Sequence, residues 1–156
     1  AGTLTEDWYL TMRDATGVTP QQWVEVIEVA MSVASVLRFA ELAGIERPDF
    51  PVALDGEPSR QDQPSKPAKH HWVPVVHLED MTPELAPFYE GLPAVAPVIR
   101  ALSSVPAAMD TLATLASAQY IPMHEMVDLN WSRGTLSRRQ IEFVAGRLSA
   151  LRECFY

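Results

Sequence analysis

Apolar positions recur at helical spacing in two long stretches of the chain. In the first, Trp23, Val26, Ile27, Ala30, Val33, Ala34 and Leu37 follow the i, i+3, i+4 rhythm of one helix face. Its start is punctuated by Gly17-Val18-Thr19-Pro20-Gln21-Gln22. Thr19 is placed to cap the first turn, Pro20 occupies the first helical position, and Gln22 is three residues beyond the cap, as in a capping box. Gly44 supplies a left-handed stop. Val24, Val29, Met31 and Val36 widen the apolar surface nearly all round. Such a helix is expected to need burial on most sides, in a core or against another subunit.

The second stretch repeats the punctuation. Ser137 is the cap, Gln140 stands three residues on, and Leu136 is placed as a hydrophobic staple. Ile141, Val144, Ala145, Leu148 and Leu151 form its apolar stripe. Weaker patterns predict helices over Thr5–Asp14, Thr82–Tyr89, Pro93–Leu102, Ala107–Ala118 and Pro122–Asn130, with Val73–His77 a short extended piece. No strand alternation is sustained anywhere, so the expected class is all-α.

Between the helical regions, Arg47–His71 carries prolines at 48, 51, 58, 64 and 67 among Asp, Ser, Gln, Gly and Lys. This composition predicts an extended linker. The chain therefore divides into an N-terminal helical arm (1–46), a Pro-rich linker (47–71) and a C-terminal helical segment (72–156).

Composition narrows the partners. A chain of 156 residues, 47% of them hydrophobic, is long enough for one domain with a real core. Its formal charge of −8 argues against nucleic acid and anionic membranes, which are bound by clustered Lys and Arg. Glu25, Glu28, Arg38 and Glu41 exclude a membrane span from the most apolar stretch, Trp23–Ile45. The first residues do not read as a signal peptide. The single cysteine allows no intramolecular disulfide, so a reducing cytoplasm is expected.

Candidate chemistry is sparse. His70, His71 and His77 lie near Glu79 and Asp80, but the spacing matches no helical pair of metal ligands, and a solvated segment is the better reading. His124-Glu125 is an isolated pair on an expected helix, with the carboxylate pointing another way. Trp8, Trp23, Trp72 and Trp131 read as core or interface anchors, and Arg138 and Arg139 as solvent-facing. There is no glycine-rich loop for a phosphate, and no cofactor is implied. Cys154 follows Glu142 by twelve residues. On one straight helix the two would be about 18 Å apart along the axis and on different faces. They can cooperate only if the helix ends near Cys154 and the chain folds back; from spacing alone, a structural cysteine is the better reading.

The segment "LSRRQIEFVAGRLSALRECFY" resembles the signature of the alkylhydroperoxidase D-like, or carboxymuconolactone decarboxylase, family. That signature runs from a capped helix start through a Glu and eleven further residues to Cys-x-x-Cys and a later His. Glu142 and Cys154 match its first part. "HHWVPVVHLEDMTPELAPFYEGL" and "VPAAMDTLATLASAQY" are similar to the preceding helices of peroxidase-related members, and "GVTPQQWVEVIEVAMSVASVLRFAELAGI" looks like the closing helix that follows the motif. The likeness is specific over about the last 50 residues and looser before them.

The resemblance implies an alkylhydroperoxidase D-like helical bundle that is incomplete in this chain and completed by another chain or subunit. The chain would be a fragment, a split or permuted subunit, or a selenoprotein read short. It also implies thiol peroxidase chemistry, hydroperoxide reduction with Cys154 as resolving thiol and Glu142 as proton relay. The second cysteine and the histidine have no counterpart here, so turnover is expected only once they are supplied. Implied partners are a second copy or a complementary chain, and a disulfide- or lipoyl-type reductant protein. Two other readings stay open: a decarboxylase-like lyase that works without Cys154, and a non-catalytic half of a larger assembly.

Overall fold

The computed structural model describes residues 4–50, 52, 55, 63–89 and 95–154. Six α-helices are found among them: α1 Glu6–Thr16, α2 Pro20–Ala43, α3 Ala86–Tyr89, α4 Pro97–Arg100, α5 Pro106–Gln119 and α6 Arg138–Leu151. Two-residue strands β1 (Ser132–Arg133) and β2 (Leu136–Ser137) pair antiparallel just before α6. The protein is thus mostly helical.

Local chemistry accounts for the two principal helices. The Thr19 hydroxyl accepts from the Gln22 amide at 3.2 Å while the Gln22 side chain accepts from the Thr19 amide at 2.9 Å. Ser137 and Gln140 repeat this reciprocal pair at the start of α6. Each box satisfies two amide donors that a helix start leaves without partners. Gly44 ends α2 at φ 65°, where a side chain would be strained. α1 is capped by Thr5 and stopped by Gly17 at φ 67°.

The packing joins the two ends of the chain. Val24 of α2 is fully buried in one cluster with Val76, Leu85, Tyr89, Leu102, Val105, Ala108 and Met109, and Met31 packs against it. α2 lies along α5, where Ser35 donates a hydrogen bond to the Gln119 side chain. Tyr9 stacks on Trp72 at 6.4 Å and meets Trp23 edge-on at 5.8 Å, tying α1 to α2 and to the start of the later segment. The N-terminal arm and the C-terminal segment therefore share one core.

Several expectations shift. The last part of the Pro-rich stretch packs: Lys66 and Val75 exchange backbone hydrogen bonds of 3.0 Å, Lys66 pairs with Asp80 at 2.6 Å, and the Gln63 amide donates to Ser104 O. Residues 51, 53–54 and 56–62 of that stretch lie outside the described residues, as do 90–94 within the expected Pro93–Leu102 helix. The helix expected over Pro122–Asn130 is only a 3₁₀ turn, Met123–Glu125, followed by turns. The hairpin is unforeseen by the sequence reading, its Gly134 at φ 58° in the connecting turn. The apolar stripe of α6 does not face the core, since Val144 is 66% exposed and Leu148 55%.

No helix among the described residues is long and apolar enough to cross a membrane.

Candidate functional site

Glu142 sits one turn into α6 and is held from two sides. Tyr120, at the C-terminal end of α5, donates from its hydroxyl to Glu142 Oε2 at 2.7 Å. Arg138, one turn earlier on α6, donates from Nε to Oε1 at 2.8 Å. An i, i+4 pair of this kind lies on one helix face.

Arg138 is 8% exposed, which corrects its reading as a solvent-facing residue; Arg139 is exposed. The cause is a set of carbonyls in the turn before the hairpin, of which Glu125 O and Asp128 O also accept main-chain amides. Nη1 donates to Glu125 O and Asp128 O at 3.2 and 3.1 Å, and Nη2 to Met126 O at 3.0 Å. A buried guanidinium is tolerated where its donors are this fully engaged.

A second arginine positions Tyr120. α5 ends at Gln119 without a glycine, and Arg133 on β1 takes over the role of a cap. Its guanidinium donates to Ser117 O, Ala118 O and Tyr120 O at 2.5, 3.3 and 3.2 Å, and lies over the Trp131 ring at 5.4 Å. A cation at a helix C-terminus also meets the negative end of the helix dipole. The hairpin thus connects the end of α5 to the start of α6 and sets Tyr120 against Glu142. Partial burial, then the hydrogen bond to Glu142 and its negative charge, push the Tyr120 phenol up to about 12, with Arg138 opposing.

Cys154 reaches the same place by a backbone device. α6 ends at Leu151, and Glu153 takes φ 53°. The Glu153 amide donates to Ala150 O at 3.3 Å and the Cys154 amide to Ser149 O at 3.0 Å. This pair of bonds is a Schellman motif with Glu where glycine is usual. It reverses the chain within three residues, so Cys154 is set back along α6. Cys154, Glu142 and Tyr120 line one open depression with Ala145, Gly146, Ser149 and Ala150. The thiol is free and exposed. The helix stops short of Cys154, whose amide bonds to Ser149 O, about two turns along α6 from Glu142.

The histidines stay apart from this site. His77 Nδ1 is 3.4 Å from Glu79 Oε1, and its Nε2 is 3.2 Å from Pro67 O. His71 is shifted below the usual imidazole range, first by burial and then by Arg100 and His70. Among the described residues, no three His, Cys, Asp or Glu side chains gather to hold a metal ion. His124 Nε2 lies 3.5 Å from Glu125 Oε1, so that carboxylate points toward the ring rather than away, on a 3₁₀ turn at the surface.

Sequence reasoning did not find Tyr120, Arg138 or Arg133 as parts of the site. Tyr120 and Arg133 lie outside any periodic pattern and act through contacts ten or more residues away, whereas Arg138 stands at i, i+4 to Glu142. The site's class is a surface carboxylate, fixed by a phenol and a guanidinium, in one open depression with an accessible thiol. Compared with family models, known proteins and solved structures, the chain matches none.

Proposed function

We propose that this chain contributes a resolving thiol and its proton relay to peroxidase-related thiol chemistry of the alkylhydroperoxidase D-like kind. The observation that carries the reading is the reversal after Leu151, which sets Cys154 in the depression lined by Glu142. Support also comes from the resemblance of residues 136–156 to the family's motif.

In the proposed step, a hydroperoxide has already oxidised a thiol of a complementary chain or second subunit to a sulfenic acid, releasing an alcohol. The Cys154 thiol gives up its proton through Glu142, its sulfur attacks the sulfenic sulfur, the S–O bond breaks, and the same proton is returned to the departing hydroxide, which leaves as water. The product is a disulfide between Cys154 and the partner thiol. The dithiol form of a disulfide- or lipoyl-type reductant protein returns both sulfurs to thiols and is itself oxidised to a disulfide.

Glu142 accepts from both Arg138 and Tyr120, so it is oriented to receive and pass a proton rather than to attack. A low-molecular-weight disulfide with a chromophoric leaving thiol tests the step directly, because Cys154 is the only cysteine. The rate of mixed-disulfide formation and its pH profile should change in Glu142→Gln, and the reaction should vanish in Cys154→Ser. An unchanged rate and profile in Glu142→Gln would sink the relay.

One observation favours a second reading. The apolar stripe of α6 faces outward beside the site, as in the structural half of an assembly. Wild-type thiol reactivity no greater than that of a free cysteine peptide would favour it.

A further inference from the structure

Two apolar seams lie on the outside of the molecule, and they match. On α2, Val26, Val29, Val33 and Val36 repeat at intervals of three, four and three residues; Val26, Val29 and Val36 are exposed. On α6, Ile141, Val144, Leu148 and Leu151 repeat with the same intervals, and the last three are exposed. Both seams span about 15 Å at about 1.5 Å per residue. Alternating spacings of three and four produce the narrow stripe by which one helix packs along another. At the C-terminal half of the α2 seam, Pro48 and Phe50 line an apolar depression together with Val33, Val36 and Leu37, which extends the surface.

The flanks carry opposite charge. Glu25 borders the N-terminal end of the α2 seam, with Glu28 nearby, whereas Arg147 and Arg152 border the C-terminal end of the α6 seam. Glu25, Arg147 and Arg152 form no ion pair among the described residues. In a parallel arrangement, pairing α6 with α6 would gather Arg147 and Arg152, and pairing α2 with α2 would gather Glu25 and Glu28. Laying α2 antiparallel on α6 places Val26 opposite Leu151 and brings Glu25 to the arginines. It also sets the two helix dipoles head to tail.

We infer that the outward seam of α2 in one copy of this chain docks antiparallel on the outward seam of α6 in a second copy. The interface is isologous if two such contacts close around a two-fold axis, and head-to-tail otherwise. It rests on surface apolarity and charge alone, independently of any role for the thiol. Opposed charges at its rim set orientation and partner choice more than affinity.

Sedimentation velocity over a concentration series tests it with two variants, Val29→Glu and Leu148→Glu. Each removes one seam at an exposed position, so circular dichroism should be unchanged. The wild type should associate and each variant alone should be monomeric. Mixing the two variants should restore a one-to-one complex, because one retains α6 and the other α2. The inference is overturned by a wild type that stays monomeric, or by a mixture that does. It is equally overturned if Val29→Glu alone still associates, which means α6 on α6, or if Leu148→Glu alone does, which means α2 on α2. Should either variant unfold, charge reversal serves instead. Glu25→Arg and the pair Arg147→Glu with Arg152→Glu should each weaken association, and together restore it. Failure to restore it would also overturn the inference.

Discussion

The Tyr120 hydroxyl donates to Glu142 Oε2 at 2.7 Å, joining the end of α5 to the first half of α6 across 22 residues of sequence. Because burial and the carboxylate hold the phenol up to about 12, the folded protein keeps this proton more tightly than the unfolded chain, where the ordinary value is 10.0. The associated stability is fully present below pH 10 and is lost as pH rises from there toward about 12. Tyr120→Phe should flatten the pH dependence of denaturant unfolding in that window. In Glu142→Gln, with the charge gone, the phenol should ionise at lower pH, read from tyrosinate absorbance.

Arg138 is the most heavily bonded side chain near the site. Arg138→Ala would leave the carbonyls of Glu125, Met126 and Asp128 without this donor and free the Glu142 carboxylate. A destabilisation of roughly 2–4 kcal/mol is expected in urea unfolding, the range for breaking a buried charged cluster. Lysine should recover only part of it, since one ammonium cannot span the positions that the planar fork reaches.

Glu153 takes the left-handed conformation at φ 53°. A residue with a Cβ is disfavoured there by about 1 kcal/mol relative to glycine. Glu153→Gly should therefore stabilise by roughly 0.5–1 kcal/mol while leaving the bonds of the turn in place. Thermal unfolding checks the first effect, and unchanged Cys154 alkylation kinetics the second.

Gly146 lies within α6, and a methyl group added there would meet nothing within 4 Å. Gly146→Ala should raise stability by about 0.5–1 kcal/mol through helix propensity alone. Because the residue lines the depression, the same variant tests how closely a reagent must approach its wall to reach Cys154. A drop in alkylation rate with a bulky maleimide, but not with iodoacetamide, is the expected pattern.

The elements governed by local rules were legible in the sequence. Both capping boxes and the glycine stop at 44 require only neighbours in the chain. The hairpin was not, because two residues per strand give no alternation to read. The adjacency of Arg138 and Arg139 conveyed only charge, while the burial of Arg138 depends on carbonyls ten to thirteen residues earlier. The α6 stripe was visible as a pattern, but periodicity alone does not say whether a face meets the core or another molecule. Glu142 and Cys154 were both singled out from the sequence. What brings them to one depression is a residue in a conformation usually left to glycine, and Glu153 carries no sequence signal for it.

The turn after α6 is made entirely of main-chain bonds, from Glu153 to Ala150 and from Cys154 to Ser149. Position 154 is therefore addressed by the backbone, and the side chain it bears is a passenger. Serine or selenocysteine placed there would be delivered to the same depression. The chemistry of this corner can thus be exchanged one atom at a time without rebuilding the fold beneath it.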